Sequence, residues 1–174
     1  SFDISPDELT KRGARALILS GGPATVLDER ILPRPEVLRM GLPVLGICYG
    51  MQLLSHLLGG KVERGVVGEY GKQSLSHAEP SILLDGTSDP TPVWMSHGDL
   101  VISTPPGSRT VALTPTCPHA AAEDPRRGLF MVQFHPEVSH TPEGRTILRN
   151  FLERGAGLTP DWSLRDFVTE SMER

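Results

Sequence analysis

Pro43-Val44-Leu45-Gly46-Ile47-Cys48-Tyr49-Gly50-Met51-Gln52-Leu53-Leu54-Ser55-His56-Leu57-Leu58-Gly59-Gly60 is the stretch whose reading decides the fold. Residues 43–48 form an apolar run of strand length, the pattern of a strand buried on both faces. Met51, Leu53, Leu54, Leu57 and Leu58 then share one helical face, and Gly59-Gly60 supplies a stop. The unit is strand, sharp turn, helix.

Working outward, residues 9–12 close a short helix. Residues 14–19 repeat the apolar run and end at Ser20-Gly21-Gly22-Pro23, a strand feeding a loop. Downstream the pattern changes to short β pieces at 61–67, 73–77, 81–84 and 92–95, punctuated by Gly, Pro and Asp. Residues 111–114, 120–123 and 129–134 return to sheet. Thr141 followed by Pro142 reads as N-cap and N1 of a last core helix that buries Ile147, Leu148, Phe151 and Leu152 before Gly155. Strands thus alternate with helices on both sides of the middle block. The expected class is α/β: an open, mostly parallel central sheet flanked by helices, with a small antiparallel excursion around 61–103. Residues 161–174 read as one more amphipathic helix, carrying Trp162, Leu164, Phe167 and Val168.

The 174 residues, 38% hydrophobic and 22% charged, suit a single domain over 1–174. A net charge of -4 with interspersed signs leaves no basic patch for nucleic acid and no polybasic stretch for a membrane surface. The apolar runs are too short to span a bilayer, so a cytoplasmic location is expected. Cys48 and Cys117 stand in dissimilar contexts without C-x-x-C spacing, which suggests neither a disulfide framework nor a zinc knuckle.

Gly46-Ile47-Cys48-Tyr49-Gly50 has the G-x-nucleophile-x-G form, in which small flanking residues let the chain turn so sharply that the central side chain clears the sheet. The helix that follows points N–H groups and the positive end of its dipole at the sulfur. The plain alternative, a small buried hydrophobe ending a strand, does not account for the glycines. Cys117, without such a frame, keeps that plain reading.

A cysteine nucleophile needs a base. Among six histidines His135 is best placed, because 128–134 is an apolar strand and His135-Pro136-Glu137 stands at its exit, where catalytic groups gather in open α/β sheets. Residues two apart in extended chain face the same way, so Glu137 can accept from the ring of His135. The alternatives are a locally satisfied strand-end histidine and a solvated carboxylate. A zinc reading of His135, Glu137 and His140 lacks supporting ligand spacing elsewhere, and no metal is expected.

Acyl chemistry builds negative charge on a carbonyl oxygen, so backbone donors should stand near the sulfur. Gly21 and Gly22 end the neighbouring strand and would pair with the N–H of Tyr49, although Gly-Gly-Pro also makes a plain turn. Gln52, four residues beyond Cys48, lies on the same helical face and can meet a polar substrate or solvent. Trp94-Met95-Ser96-His97-Gly98-Asp99 suits either substrate recognition or a structured turn.

Taken together, these segments resemble the class I glutamine amidotransferases, and more narrowly the glutaminase domains of GMP synthetases. The residues are Ser20 to Pro23, Leu45 to Gln52, Gly60-Lys61-Val62-Glu63, Glu69-Tyr70-Gly71, Val93 to Asp99, Cys117-Pro118, Gln133 to Val138 with His140-Thr141, and Asn150-Phe151. The resemblance implies a flavodoxin-like fold. It further implies attack of Cys48 on the side-chain amide of L-glutamine, a thioester that water hydrolyses, and proton transfer by His135 oriented by Glu137. It makes Gly22 and Tyr49 the oxyanion hole and Gly21, Gln52, Ser96 and His97 the substrate-binding positions. No cofactor is expected in this domain. Ammonia would pass to an ATP-pyrophosphatase synthetase domain or subunit that holds ATP, Mg and XMP. Members of this family begin with a further strand and helix, which this chain is expected to lack, and 156–174 would be a C-terminal helix near the junction to the synthetase unit. The competing readings are the glutaminase of another amidotransferase and a catalytically idle regulatory or docking module.

Overall fold

The computed structural model describes residues 4–22, 25–27 and 35–159. In chain order the elements are α1 (Pro6–Lys11), β1 (Leu17–Leu19), a 3-10 turn (Pro35–Met40), β2 (Val44–Ile47), α2 (Tyr49–Leu57), β3 (Lys61–His77), β4 (Thr91–Ser103), β5 (Arg109–Leu113), β6 (Ala121–Asp124), β7 (Leu129–Val132) and α3 (Gly144–Asn150), which continues as a π-helical turn over Phe151–Gly155. The strands form one sheet in the order β1-β2-β7-β6-β5-β3-β4.

Alternation along β2 and β7 shows why their sequences are continuously apolar. Leu45, Ile47, Phe130 and Val132 enter one buried cluster with Ile147 and Phe151 of the last helix, while Val44, Leu129 and Met131 enter the other with Met51, Leu53 and Leu54 of α2. Successive side chains point to opposite faces, so a strand covered on both sides needs apolar residues at every position. Phe130 and Phe151 meet edge to face with centroids 5.6 Å apart.

The α/β class is as expected, with helices over the sheet, but the sheet is mixed rather than mostly parallel, since of the described strands only β1, β2 and β7 run parallel. The antiparallel part is wider than 61–103, because β5 and β6 also pair antiparallel and join the excursion to β7. The pieces expected at 61–67 and 73–77 are one continuous β3, which pairs with β4 on both sides of a bulge and with β5 at its end. Residues 81–84, expected as strand, form a turn. Their backbone N–H groups are satisfied by a side chain rather than a neighbouring strand: Ile82 and Leu83 donate to the buried carboxylate of Glu123 at 3.2 and 2.8 Å, and Ser81 Oγ donates at 2.5 Å. Thr141 does not cap the last helix, which begins at Gly144 after Glu143, because its hydroxyl is committed elsewhere. Ile147 and Phe151 are buried as expected, whereas Leu152 is exposed. Residues 156–159 are not helical, and the helix expected at 161–174 lies outside the described residues.

The sharp turn between β2 and α2 depends on two close approaches. A Cβ on Gly50 would fall 1.9 Å from the carbonyl oxygen of Leu19 in the adjacent strand, and one on Gly46 would fall 2.7 Å from the backbone of Gly50. Backbone at those positions cannot retreat without parting β1 from β2. Gly22, by contrast, has open space around it. Gly50→Ala is therefore expected to destabilise the fold by more than about 2 kcal/mol, the scale of overpacking a filled interior. Gly22→Ala should change it by less than about 1 kcal/mol. Urea unfolding of both variants checks the contrast, and equal midpoints would refute it.

Candidate active site

Cys48 is the described non-glycine residue with a positive φ, at 52°. A side chain there is strained by on the order of 1–3 kcal/mol, and such strain persists only where neighbours over-determine the backbone. They do so here: Cys48 N donates to Val132 O at 2.8 Å, and Cys48 O accepts from Met51 N and Gln52 N at 3.0 and 3.1 Å. The turn aims Sγ out of the sheet, 3.6 Å from the carbonyl oxygen of Ser96.

His135 stands just beyond β7 and faces Cys48, and its Nδ1 donates to Glu137 Oε1 at 2.7 Å. The hydrogen bond to Cys48 and then that to Glu137 outweigh burial and push the imidazole up to about 10 from the ordinary 6.5. Burial alone would raise the Glu137 carboxyl, but the hydrogen bonds from His135 and from its own backbone, with the charge of His135, bring it below its ordinary value. His135 and Glu137 therefore form a charged unit.

A hydroxyl clamp holds the backbone of His135. His135 N donates to Trp94 O at 2.9 Å, Thr141 Oγ1 donates to His135 O at 2.6 Å, and the same oxygen accepts from Trp94 N at 3.0 Å. The residue expected as a helix cap instead ties the His-Pro-Glu segment to β4. Gly144 lies so close to Pro136 that a Cβ would fall 1.9 Å from the Pro136 carbonyl oxygen.

Cys48 opens into a cavity of about 350 Å³ whose walls include Gly22, Tyr49, Gln52, Ser96, His97 and Asp99. Five expected site positions therefore gather around the sulfur. Gly21 does not line this cavity. It lies under the imidazole, where a Cβ would fall 3.0 Å from His135 Cε1 and 3.7 Å from Cys48 Cβ, so its lack of a side chain makes room for the base. Gln52 is 4% exposed, and its Nε2 donates to Asp99 O at 3.0 Å.

Thr25, Arg64 and Tyr70 also line the cavity and had no assigned role in the sequence reading. Arg64 and Tyr70 come from β3, which reaches the site only through its pairing with β4, and no local spacing signals that. A larger cavity of about 850 Å³ lies on the far side of Pro136 and Glu137, walled by Arg145, Arg149 and Leu152, and does not contain Cys48.

His140 packs its ring on Trp94 with centroids 4.4 Å apart, away from any ligand set with His135 and Glu137. Among the described residues, Glu69, His97 and Cys117 are the His, Cys and acidic side chains grouped closely enough to hold a metal, with ligand atoms within 4.8 Å of one another. Burial, with Glu69 adding to it, pushes the Cys117 thiol up to about 12, so the sulfur resists the deprotonation that ligation requires.

The raised value of His135 gives a signed expectation. Its protonated form is retained as pH rises until about 10. The stability it contributes is full below its ordinary 6.5 and is lost as pH climbs through the folded value. Followed by imidazole NMR, the midpoint should fall in Cys48→Ala, which removes the largest cause, and fall less in Glu137→Gln. An unchanged midpoint in Cys48→Ala would contradict this account.

Residues 2–154 match the model of the glutamine amidotransferase class-I family. The chain is 46% identical over 173 residues to the glutamine-hydrolysing GMP synthase of Staphylococcus carnosus, covering 99% of this chain and 34% of that protein. It is 44% identical over 172 residues to that of Geobacillus kaustophilus, covering 98% and 34%. It thus spans about a third of the length of these relatives. Among solved structures, a Thermoplasma acidophilum protein provisionally described as one subunit of a GMP synthase superposes with a TM-score of 0.75 at 29% identity, covering 99% of this chain and 82% of the other. A glutamine amidotransferase from Methylobacillus flagellatus gives 0.66 at 25% identity, covering 93% and 68%. With a strained cysteine elbow, a histidine-glutamate pair and this match over most of its length, the chain belongs to the class I glutamine amidotransferase family.

Proposed function

We propose that this chain is the glutaminase part of a GMP synthetase, hydrolysing L-glutamine to glutamate and ammonia through a thioester on Cys48. The observation that carries the reading is Cys48, at a positive-φ elbow that opens on the cavity, bonded to His135, whose imidazole is raised by its bonds to Cys48 and Glu137.

In this reading the sulfur of Cys48 attacks the side-chain carboxamide carbon, and the carbonyl electrons move to oxygen. The N–H groups of Gly22 and Tyr49, both in the cavity wall, serve that oxyanion. His135, protonated by virtue of its two partners, gives its proton to the departing nitrogen, so that ammonia leaves and the thioester forms. The neutral imidazole then takes a proton from water, hydroxide adds to the thioester, and the C–S bond breaks to return Cys48 and release glutamate. Glu137 holds the imidazole in the tautomer that both steps need.

Arg64 and Asp99 are register partners across β3 and β4 and both line the cavity. A cation and an anion there complement the charged head of an amino acid, which favours glutamine over a simple amide. The relatives that match this chain almost from end to end are glutamine-hydrolysing GMP synthases, which supports delivery of the ammonia to a synthetase unit that uses ATP and Mg to activate XMP. They favour that pathway over another amination.

Glutamate release from glutamine should fall at least about a thousandfold in Cys48→Ala, since no other group on the cavity wall can form the thioester. Adding a synthetase partner with XMP and ATP should raise the wild-type rate. Full activity in Cys48→Ala would end the mechanism. A rate indifferent to XMP and ATP with a competent partner would end the pathway assignment.

A further inference from the structure

Behind the cavity wall lies a buried polar cluster that the mechanism does not use. Four β3 residues, 65–68, stand opposite Gly98 alone, because Arg64 pairs with Asp99 and Glu69 with His97. This bulge sets Glu69 directly across from His97, on the same side of the sheet. Both side chains are about 5% exposed.

Every polar atom of the two side chains is committed within the protein. Glu69 Oε1 accepts from Thr114 Oγ1 at 2.8 Å and from Thr116 Oγ1 at 2.6 Å, and Oε2 lies 3.3 Å from His97 Nε2. The other ring nitrogen, Nδ1, lies 3.0 Å from Asp99 O, the carbonyl that also accepts from Gln52 Nε2 at 3.0 Å. On the outer side, Asp99 Oδ2 accepts from Thr25 Oγ1 at 2.5 Å. His97 therefore has no ring nitrogen to offer a molecule in the cavity, although it lies in the wall. A buried carboxylate is tolerated only when it is bonded and paired, and Glu69 meets that condition through His97 and two hydroxyls. Cys117 nearby keeps its proton, so no second negative charge enters the cluster.

We propose that Glu69 is a positioning residue for the Cys48 cavity: through His97 it fixes the carbonyl of Asp99, and with it the Ser96 to Asp99 stretch of β4 against Gln52. The proposal rests on the reading that this cavity takes glutamine. The chain of contacts runs from the β5–β6 loop through β3 and β4 to α2 and the loop after β1, so the cavity-facing stretch of β4 is set from behind. The backbone of Cys48 is held instead by β7 and α2, and that of His135 by Trp94 and Thr141, outside the Ser96 to Asp99 stretch, which meets the sulfur at Ser96 O, 3.6 Å away. Loss of Glu69 should therefore loosen substrate binding and leave the nucleophile unaltered.

The test uses the full chain, with Glu69→Ala, Glu69→Gln and Thr116→Val. Glutamine affinity is read as KM and as protection of Cys48 from iodoacetamide, and the alkylation rate without glutamine reads the nucleophile itself. Glu69→Ala should raise KM and the protecting concentration at least about tenfold, with kcat and the unprotected alkylation rate within about threefold. Glu69→Gln should recover most of the loss, because the amide oxygen can accept from Thr114 and Thr116 while its nitrogen donates to His97 Nε2. Thr116→Val, at an exposed position, should shift KM in the same direction by about twofold or more. If Glu69→Ala does not fold, Glu69→Gln and Thr116→Val decide: recovered affinity in the first with a raised KM in the second supports the proposal.

Unchanged KM and protection in the variants, beside a wild type that glutamine protects, would overturn the positioning role and leave the glutaminase reading standing. A fall in unprotected alkylation that tracks a fall in Tm would overturn it in favour of general destabilisation. A wild type that glutamine neither protects nor feeds would overturn the glutaminase reading and this inference with it.

Discussion

The backbone at Cys48 stands in a conformation that a residue with a Cβ avoids, and most of the molecule around the site is arranged to keep it there. The hydrogen bond from Cys48 N to Val132 O makes the turn a continuation of the β2–β7 pairing, so the elbow cannot relax without unzipping the parallel core. Gly46 and Gly50 let α2 and β1 crowd against it at backbone distance. Two apolar layers press on the sheet from either side and make that crowding the lowest-energy packing available. Strain at one residue is thus balanced by burial spread over many.

The rest of the candidate site is borrowed from the antiparallel part of the sheet. β4 contributes Ser96 and Asp99 to the cavity, its Trp94 helps hold His135, and β3 brings Arg64 and Tyr70. The parallel strands position Cys48 and His135, while the long hairpin supplies much of the cavity wall.

What the sequence made legible follows from range. The elbow glycines, the cysteine and the His-Pro-Glu triplet act on neighbours a few residues away, and their spacing carries the geometry directly. The turn at 81–84 looked like a strand because the partner of its backbone, Glu123, is some forty residues distant. Thr141 looked like a cap because hydroxyl before proline is a local helix signal, yet its oxygen serves Trp94 and His135. His97 was legible as belonging near the site, but its commitment to Glu69 was not, since that contact depends on a bulge in β3.

The contrast between the two sulfurs has a consequence for the life of the protein under oxidising stress. Cys117 is sealed in the core with its proton held, and an oxidant finds little nucleophilic electron density there. Cys48 faces a cavity and lies beside a protonated imidazole. Peroxide would reach that sulfur first, converting it to sulfenic acid while the packed layers remain intact. The chain would fall silent well before it fell apart, and a cellular thiol able to reduce that one atom could bring it back.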